Sequence, residues 1–89
     1  MRNNDQRREV RHMTDTKYLI RMYTPKRNET LKTRMYEGNA QGALAIMSAW
    51  ILDAQTIANN IEDTVCVRVN GGCENFLSAC SYVEPEVRQ

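Results

Sequence analysis

Residues 17–37 read KYLIRMYTPKRNETLKTRMYE, two runs of strict alternation around a turn. In the first run Tyr18, Ile20 and Met22 point one way and Lys17, Leu19, Arg21 and Tyr23 the other, the period of two that a half-buried strand requires. Pro25-Lys26-Arg27-Asn28 is a turn, because proline presets φ and asparagine tolerates left-handed geometry. Leu31, Thr33 and Met35 then alternate with Thr30, Lys32, Arg34 and Tyr36. A four-residue loop sets Met22 opposite Leu31, Ile20 opposite Thr33 and Tyr18 opposite Met35 on an inner face. The outer face then pairs Tyr23 with Thr30, Arg21 with Lys32, Leu19 with Arg34 and Lys17 with Tyr36.

Downstream of this hairpin, Asn39 is an N-cap residue and a helix is expected to run to about Ile61. Ala43, Met47, Trp50, Ala54, Ile57 and Ile61 recur at steps of three and four, widened by Leu44, Ile51 and Ala58. Trp50, near the middle, is the largest side chain of the stripe that covers the sheet. Glu62-Asp63 ends the helix, and residues 64–69 (TVCVRV) form a third strand with Val65, Val67 and Val69 inward. After Asn70-Gly71-Gly72, the residues Cys73, Phe76, Leu77 and Cys80 fall at helical spacing and predict a second helix over 73–83. The alternative for that segment is a second hairpin turned at Asn70-Gly71.

The expected fold is therefore a small single α+β domain of order β-β-α-β-α. A three-stranded, mainly antiparallel sheet is covered on one face by the long helix, with β-β-α-β-β as the alternative order. The domain spans 17–83, between a polar N-terminal arm at 1–16 that lacks an apolar face and a frayed tail at 84–89. An apolar share of 42% and a charged share of 26% are those of an ordinary globular chain. The first 16 residues have no secretory h-region, and the apolar run from Ala43 to Leu52 is about half the roughly 20 residues a membrane span needs. A soluble, cytoplasmic protein is expected.

Charge is unevenly distributed. The hairpin carries Lys17, Arg21, Lys26, Arg27, Lys32 and Arg34 against Glu29 and Glu37. Everything beyond it carries Arg68 and Arg88 against Asp53, Glu62, Asp63, Glu74, Glu84 and Glu86. The outer hairpin face, with Lys17, Arg21, Tyr23, Lys32, Arg34, Tyr36 and Arg68, is the candidate surface for an anionic partner: cations neutralise phosphates or carboxylates, and tyrosines stack on bases. Against it stands the ordinary occupancy of a solvated sheet face by Lys, Arg, Thr and Tyr. The second candidate is the back of the long helix, where Ala45, Ala49, Leu52, Thr56 and Asn59 make a strip suited to a dimer or partner contact unless the C-terminal helix covers it.

Cys66, Cys73 and Cys80 stand in C-x6-C-x6-C spacing with no CxxC, and His12 is the only histidine. That set points to free thiols in a reducing compartment rather than to zinc, and no cofactor is expected. With the single histidine in the arm, no Ser/His/Asp or Cys/His set assembles inside the fold, so an enzyme is not expected. The expected function is a small intracellular binding module acting through protein–protein contact, of the kind a phage or mobile element supplies as a regulator or inhibitor. A nucleic-acid-binding module using the hairpin face for RNA or single-stranded DNA is the alternative, and a homodimer is a further expectation for the helix strip.

Overall fold

The computed structural model describes residues 16–72 and 76–86. Four strands and one helix follow in the order β1 (Lys17–Thr24), β2 (Glu29–Glu37), α1 (Ala40–Ile61), β3 (Val65–Gly71) and β4 (Leu77–Val83). They form a single sheet in the order β2-β1-β3-β4, with every neighbouring pair antiparallel. The fold is the β-β-α-β-β alternative, an α+β domain with a sheet of four strands rather than three.

Local chemistry explains each boundary of the helix. Asn39 is extended, and its side-chain oxygen accepts the Gly42 N–H at 2.7 Å, satisfying one of the first-turn donors. At the other end Glu62 adopts φ 54°, a left-handed cap whose N–H returns to the Ala58 carbonyl. In the β1–β2 turn Asn28 takes φ 53°, the left-handed geometry for which asparagine is suited.

One face of the sheet meets α1. Tyr18, Ile20, Met22, Val65, Val67 and Val69 are buried beneath Ala43, Met47, Trp50, Ala54 and Ala58. Alanines at three of these five helix positions let the helix approach, and Trp50 and Met47 supply the bulk. Ile51, Ile57 and Ile61 pack on the rim, whereas Leu44, expected to widen the covered stripe, is 40% exposed.

The segment expected as a second helix is a strand. Leu77, Ala79, Ser81 and Val83 lie opposite Gly71, Val69, Val67 and Val65, on the helix side, while Ser78, Cys80 and Tyr82 face away. Helical spacing of four apolar residues competed here with the open ladder of β3, whose N–H and C=O groups needed a partner. The strand wins, and Phe76 ends 64% exposed instead of joining the core. Cys73 of the expected stripe lies outside the described residues. The Asn70-Gly71 pair does not close a tight turn either, since Gly71 pairs with both Leu77 and Tyr18. Gly71 has φ 151°, and a Cβ there would run into the backbone of Lys17 and Tyr18.

The hairpin register also differs from expectation. Tyr23 opposes Thr30 as expected, but Met22 opposes Lys32, so Leu31 is an extra residue in β2, a β-bulge. From there Ile20 faces Arg34 and Tyr18 faces Tyr36. Since opposed residues share a face, Lys32, Arg34 and Tyr36 lie on the helix side of the sheet.

Cations are tolerated on that side because α1 packs over β3, β1 and β4, leaving β2 as an overhanging edge. The Lys32 ammonium sits 4.6 Å from the Trp50 ring centroid and 3.9 Å from an Asp53 carboxylate oxygen. Tyr36 lies over Gly38 and Gly42, where a Cβ at either glycine would strike its ring.

Two substitutions test this packing. Trp50→Ala should cost about 3–5 kcal/mol in urea unfolding, much of the stability of a domain this small. Lys32→Ala should cost about 0.5–1 kcal/mol and shift the Trp50 emission, while Arg21→Ala on the opposite face leaves that emission unchanged. A Trp50 spectrum indifferent to Lys32 would place β2 in the unbulged register.

Candidate functional site: the uncovered sheet face

The face away from α1 is built in rows by the three ladders. Tyr23, Cys66 and Tyr82 form one row, Thr33, Arg21, Arg68 and Cys80 the next, and Met35, Leu19, Asn70 and Ser78 a third. Of the seven residues expected to share a basic surface, Lys17, Arg21, Tyr23 and Arg68 are here. The bulge carries Lys32, Arg34 and Tyr36 to the other side, where the Arg34 guanidinium lies 6.0 Å from the Tyr36 ring centroid. Tyr82 and Met35, 62% and 61% exposed, join the open face instead.

The charge asymmetry of the sequence is largely undone in space. Lys26 and Arg27 in the turn reach the same Asp63 carboxylate, at 3.9 Å and 3.4 Å, and Lys32 reaches Asp53. Asp63 is nearly buried, its side chain 10% exposed, and its Oδ1 also accepts the Thr64 N–H at 2.8 Å. The hairpin turn is thus fastened to the α1–β3 connection, and three hairpin cations are matched by acids far away in sequence.

On the open face, Arg21 and Arg68 are direct cross-strand partners, a like-charge opposition. Arg21 turns toward Tyr23, 5.1 Å from its ring centroid, and donates to the Thr30 hydroxyl at 3.3 Å. Beside them runs a chain of polarisable groups. Tyr23 stands opposite Cys66, the Cys66 and Cys80 sulfurs lie 2.7 Å apart, and Cys80 stands opposite Arg68. Cys66, with burial, pushes the Tyr23 phenol up to about 12. Burial pushes the Cys66 thiol up, helped by Cys80 and opposed by Tyr23, and Cys80 raises the Arg68 guanidinium.

The cysteine pairing was hidden from sequence reasoning by the helical reading of 73–83, which put Cys80 on the wrong element. Alternation of Leu77, Ala79, Ser81 and Val83 was the signal that could have revealed it, and Tyr82 with it.

The second candidate surface is only partly as expected. Ala45, Ala49, Leu52 and Thr56 are exposed, Leu52 by 74%, since β4 lies in the sheet and covers none of the strip. Asn59 is committed elsewhere: it accepts the Glu86 N–H at 2.8 Å and the Gln55 side chain at 3.1 Å, while Gln55 also donates to the Glu84 carbonyl. Glu84 and Glu86 are therefore fixed to α1, and residues 87–89, like residues 1–15 of the expected arm, lie outside the described residues. A cleft of about 260 Å³ beside them is lined by Lys26, Glu62, Asp63, Thr64, Glu84 and Pro85. Among the described residues no group of three or more His, Cys, Asp or Glu is placed to hold a metal ion, and no helix is long and apolar enough to cross a membrane.

No family model, no curated protein and no solved structure matches the chain.

The Tyr23 shift has a measurable consequence. The unfolded phenol ionises near pH 10, while the folded one holds its proton to about 12. The unfolded state therefore releases the proton first, so the stabilisation is full below pH 10 and is lost as pH rises toward 12. Tyr23→Phe should remove this component, making stability fall less steeply across that window in alkaline urea titrations. Identical slopes for the two proteins would break the Tyr23–Cys66 contact as assigned.

Proposed function

We propose that this chain is a non-catalytic binding module that engages a protein partner through its uncovered sheet face. The observation that carries the reading is the composition of that face. Tyr23, Tyr82, Met35, Leu19, Arg21 and Arg68 lie on adjacent strands, with Glu37 as the acid opposite Lys17 at one end. Interface cores are enriched in tyrosine, methionine and arginine and depleted in lysine and acids, and their energetic anchors are most often aromatic or arginine. The arginine pair favours a partner that brings a carboxylate between Arg21 and Arg68, relieving their opposition.

That same opposition supports a second reading, single-stranded RNA or DNA with phosphate at the arginines and bases stacked on Tyr23 and Tyr82. It is the weaker one because Lys32 and Arg34, which would have extended the basic track, lie on the other face. Salt separates the two, since nucleic-acid affinity falls log-linearly with salt concentration in proportion to the phosphates neutralised.

The decisive comparison is capture from nuclease-treated lysate by wild type, by an Arg68→Glu/Tyr82→Ala variant and by Ala49→Glu. The proposal expects one specific protein retained by wild type and Ala49→Glu, and lost with the sheet-face variant at unchanged thermal stability. Retention by the sheet-face variant but loss with Ala49→Glu would move the contact to the back of α1. A wild-type dimer split by Ala49→Glu in sedimentation equilibrium would identify that strip as a self-association surface.

A further inference from the structure

We propose that Cys66 and Cys80 constitute a thiol modification site whose substrate is a low-molecular-weight disulfide such as oxidised glutathione, with Cys80 as the attacking thiol and Cys66 as the resolving one. The two cysteines come from different strands. Cys66 stands opposite Tyr82 and Cys80 opposite Arg68, so they are diagonal neighbours on the open face, and their sulfurs meet at 2.7 Å as free thiols. Their environments divide the labour. Cys80 is exposed, whereas Cys66 is fully buried.

Arg68, itself exposed, is the direct cross-strand partner of Cys80 and sets a fixed positive charge beside that sulfur. A thiolate beside arginine is the reactive species in disulfide exchange. Behind it, Tyr23 is the cross-strand partner of Cys66, and its phenol works against the burial that pushes the Cys66 thiol up.

The reaction balances in two exchanges. The Cys80 thiolate attacks one sulfur of glutathione disulfide, forming a Cys80–glutathione mixed disulfide and releasing glutathione thiolate. Cys66 then attacks the Cys80 sulfur, breaking the mixed disulfide and forming the Cys66–Cys80 bond. The Cys66 proton passes to the second departing glutathione thiolate. The protein loses two electrons and two protons, and one glutathione disulfide becomes two glutathiones. This chemistry is independent of what the sheet face binds.

The test uses the full chain carrying Cys73→Ser, which leaves Cys66 and Cys80 as its only cysteines. On incubation with excess oxidised glutathione, intact mass should fall by two hydrogens, peptide mapping should show Cys66 joined to Cys80, and dithiothreitol should restore both thiols. Adding Cys66→Ser should halt the reaction with one glutathionyl group on Cys80. Because that change puts a hydroxyl at a buried position, a second measurement stands beside it. In a brief pulse of limiting iodoacetamide on the native Cys73→Ser chain, Cys80 should be alkylated roughly tenfold or more faster than Cys66. The assignment is overturned if both thiols survive the oxidant, or if the mixed disulfide persists while Cys66 is intact. Disulfide-linked dimers through Cys80, or faster labelling of Cys66, overturn it equally.

Discussion

Between Tyr23↔Thr30 and Met22↔Lys32, β2 is one residue longer than β1, and strand side chains change face with every residue. Leu31 absorbs the excess at the exposed edge. Everything after it in β2 is consequently inverted relative to an unbroken ladder. Tyr36 reaches the glycines at the start of α1, Lys32 reaches Trp50, and Met35 and Thr33 are left beside Leu19 and Arg21 on the open side. Without the bulge, Lys32 would stand against Arg21 in a second like-charge opposition, and the rim of the Trp50 ring would face a threonine or leucine.

The helix face and the electrostatics are coupled through this arrangement. α1 buries alanines against the central strands and presents Trp50 and Asp53 toward the overhanging edge, where Lys32 satisfies both. Asp63, just past the helix, holds the turn cations in the same way. Exposed pairs of this kind contribute little each, but they set which cations are left for anything outside. Those at the centre of the open face are Arg21 and Arg68, joined by two tyrosines and a pair of thiols. Nearly every polar group near the centre of that face thus belongs to one contiguous patch spanning β1, β3 and β4.

Most of the scaffold was legible from the residues. The Tyr18/Ile20/Met22 and Val65/Val67/Val69 alternations, the Asn28 turn, the Asn39 cap and the Ala43–Met47–Trp50–Ala54 stripe are local patterns, and local geometry honours them. Three of the seven candidate binding residues were misplaced for a reason of parity. A bulge leaves no mark in a run such as Leu31-Lys32-Thr33-Arg34, where each register sets Lys32 and Arg34 opposite one pair of β1 side chains and uncharged residues opposite the other. The 73–83 segment failed differently, because Ser78, Cys80 and Ser81 carry weak propensity either way and Ala79 favours a helix.

The sequence by itself determined the hairpin, the long helix with its buried face and the third strand, because each is written in a period or a cap that neighbouring residues enforce. Tertiary structure alone decided the fate of β4, the face occupied by Lys32, Arg34 and Tyr36, and the meeting of Cys66 with Cys80. Each of these depends on a ladder between segments distant in the chain. A ladder is fixed by which backbone groups would otherwise go unpaired and which side chains would otherwise be stranded, and that balance exists only once the whole sheet is assembled.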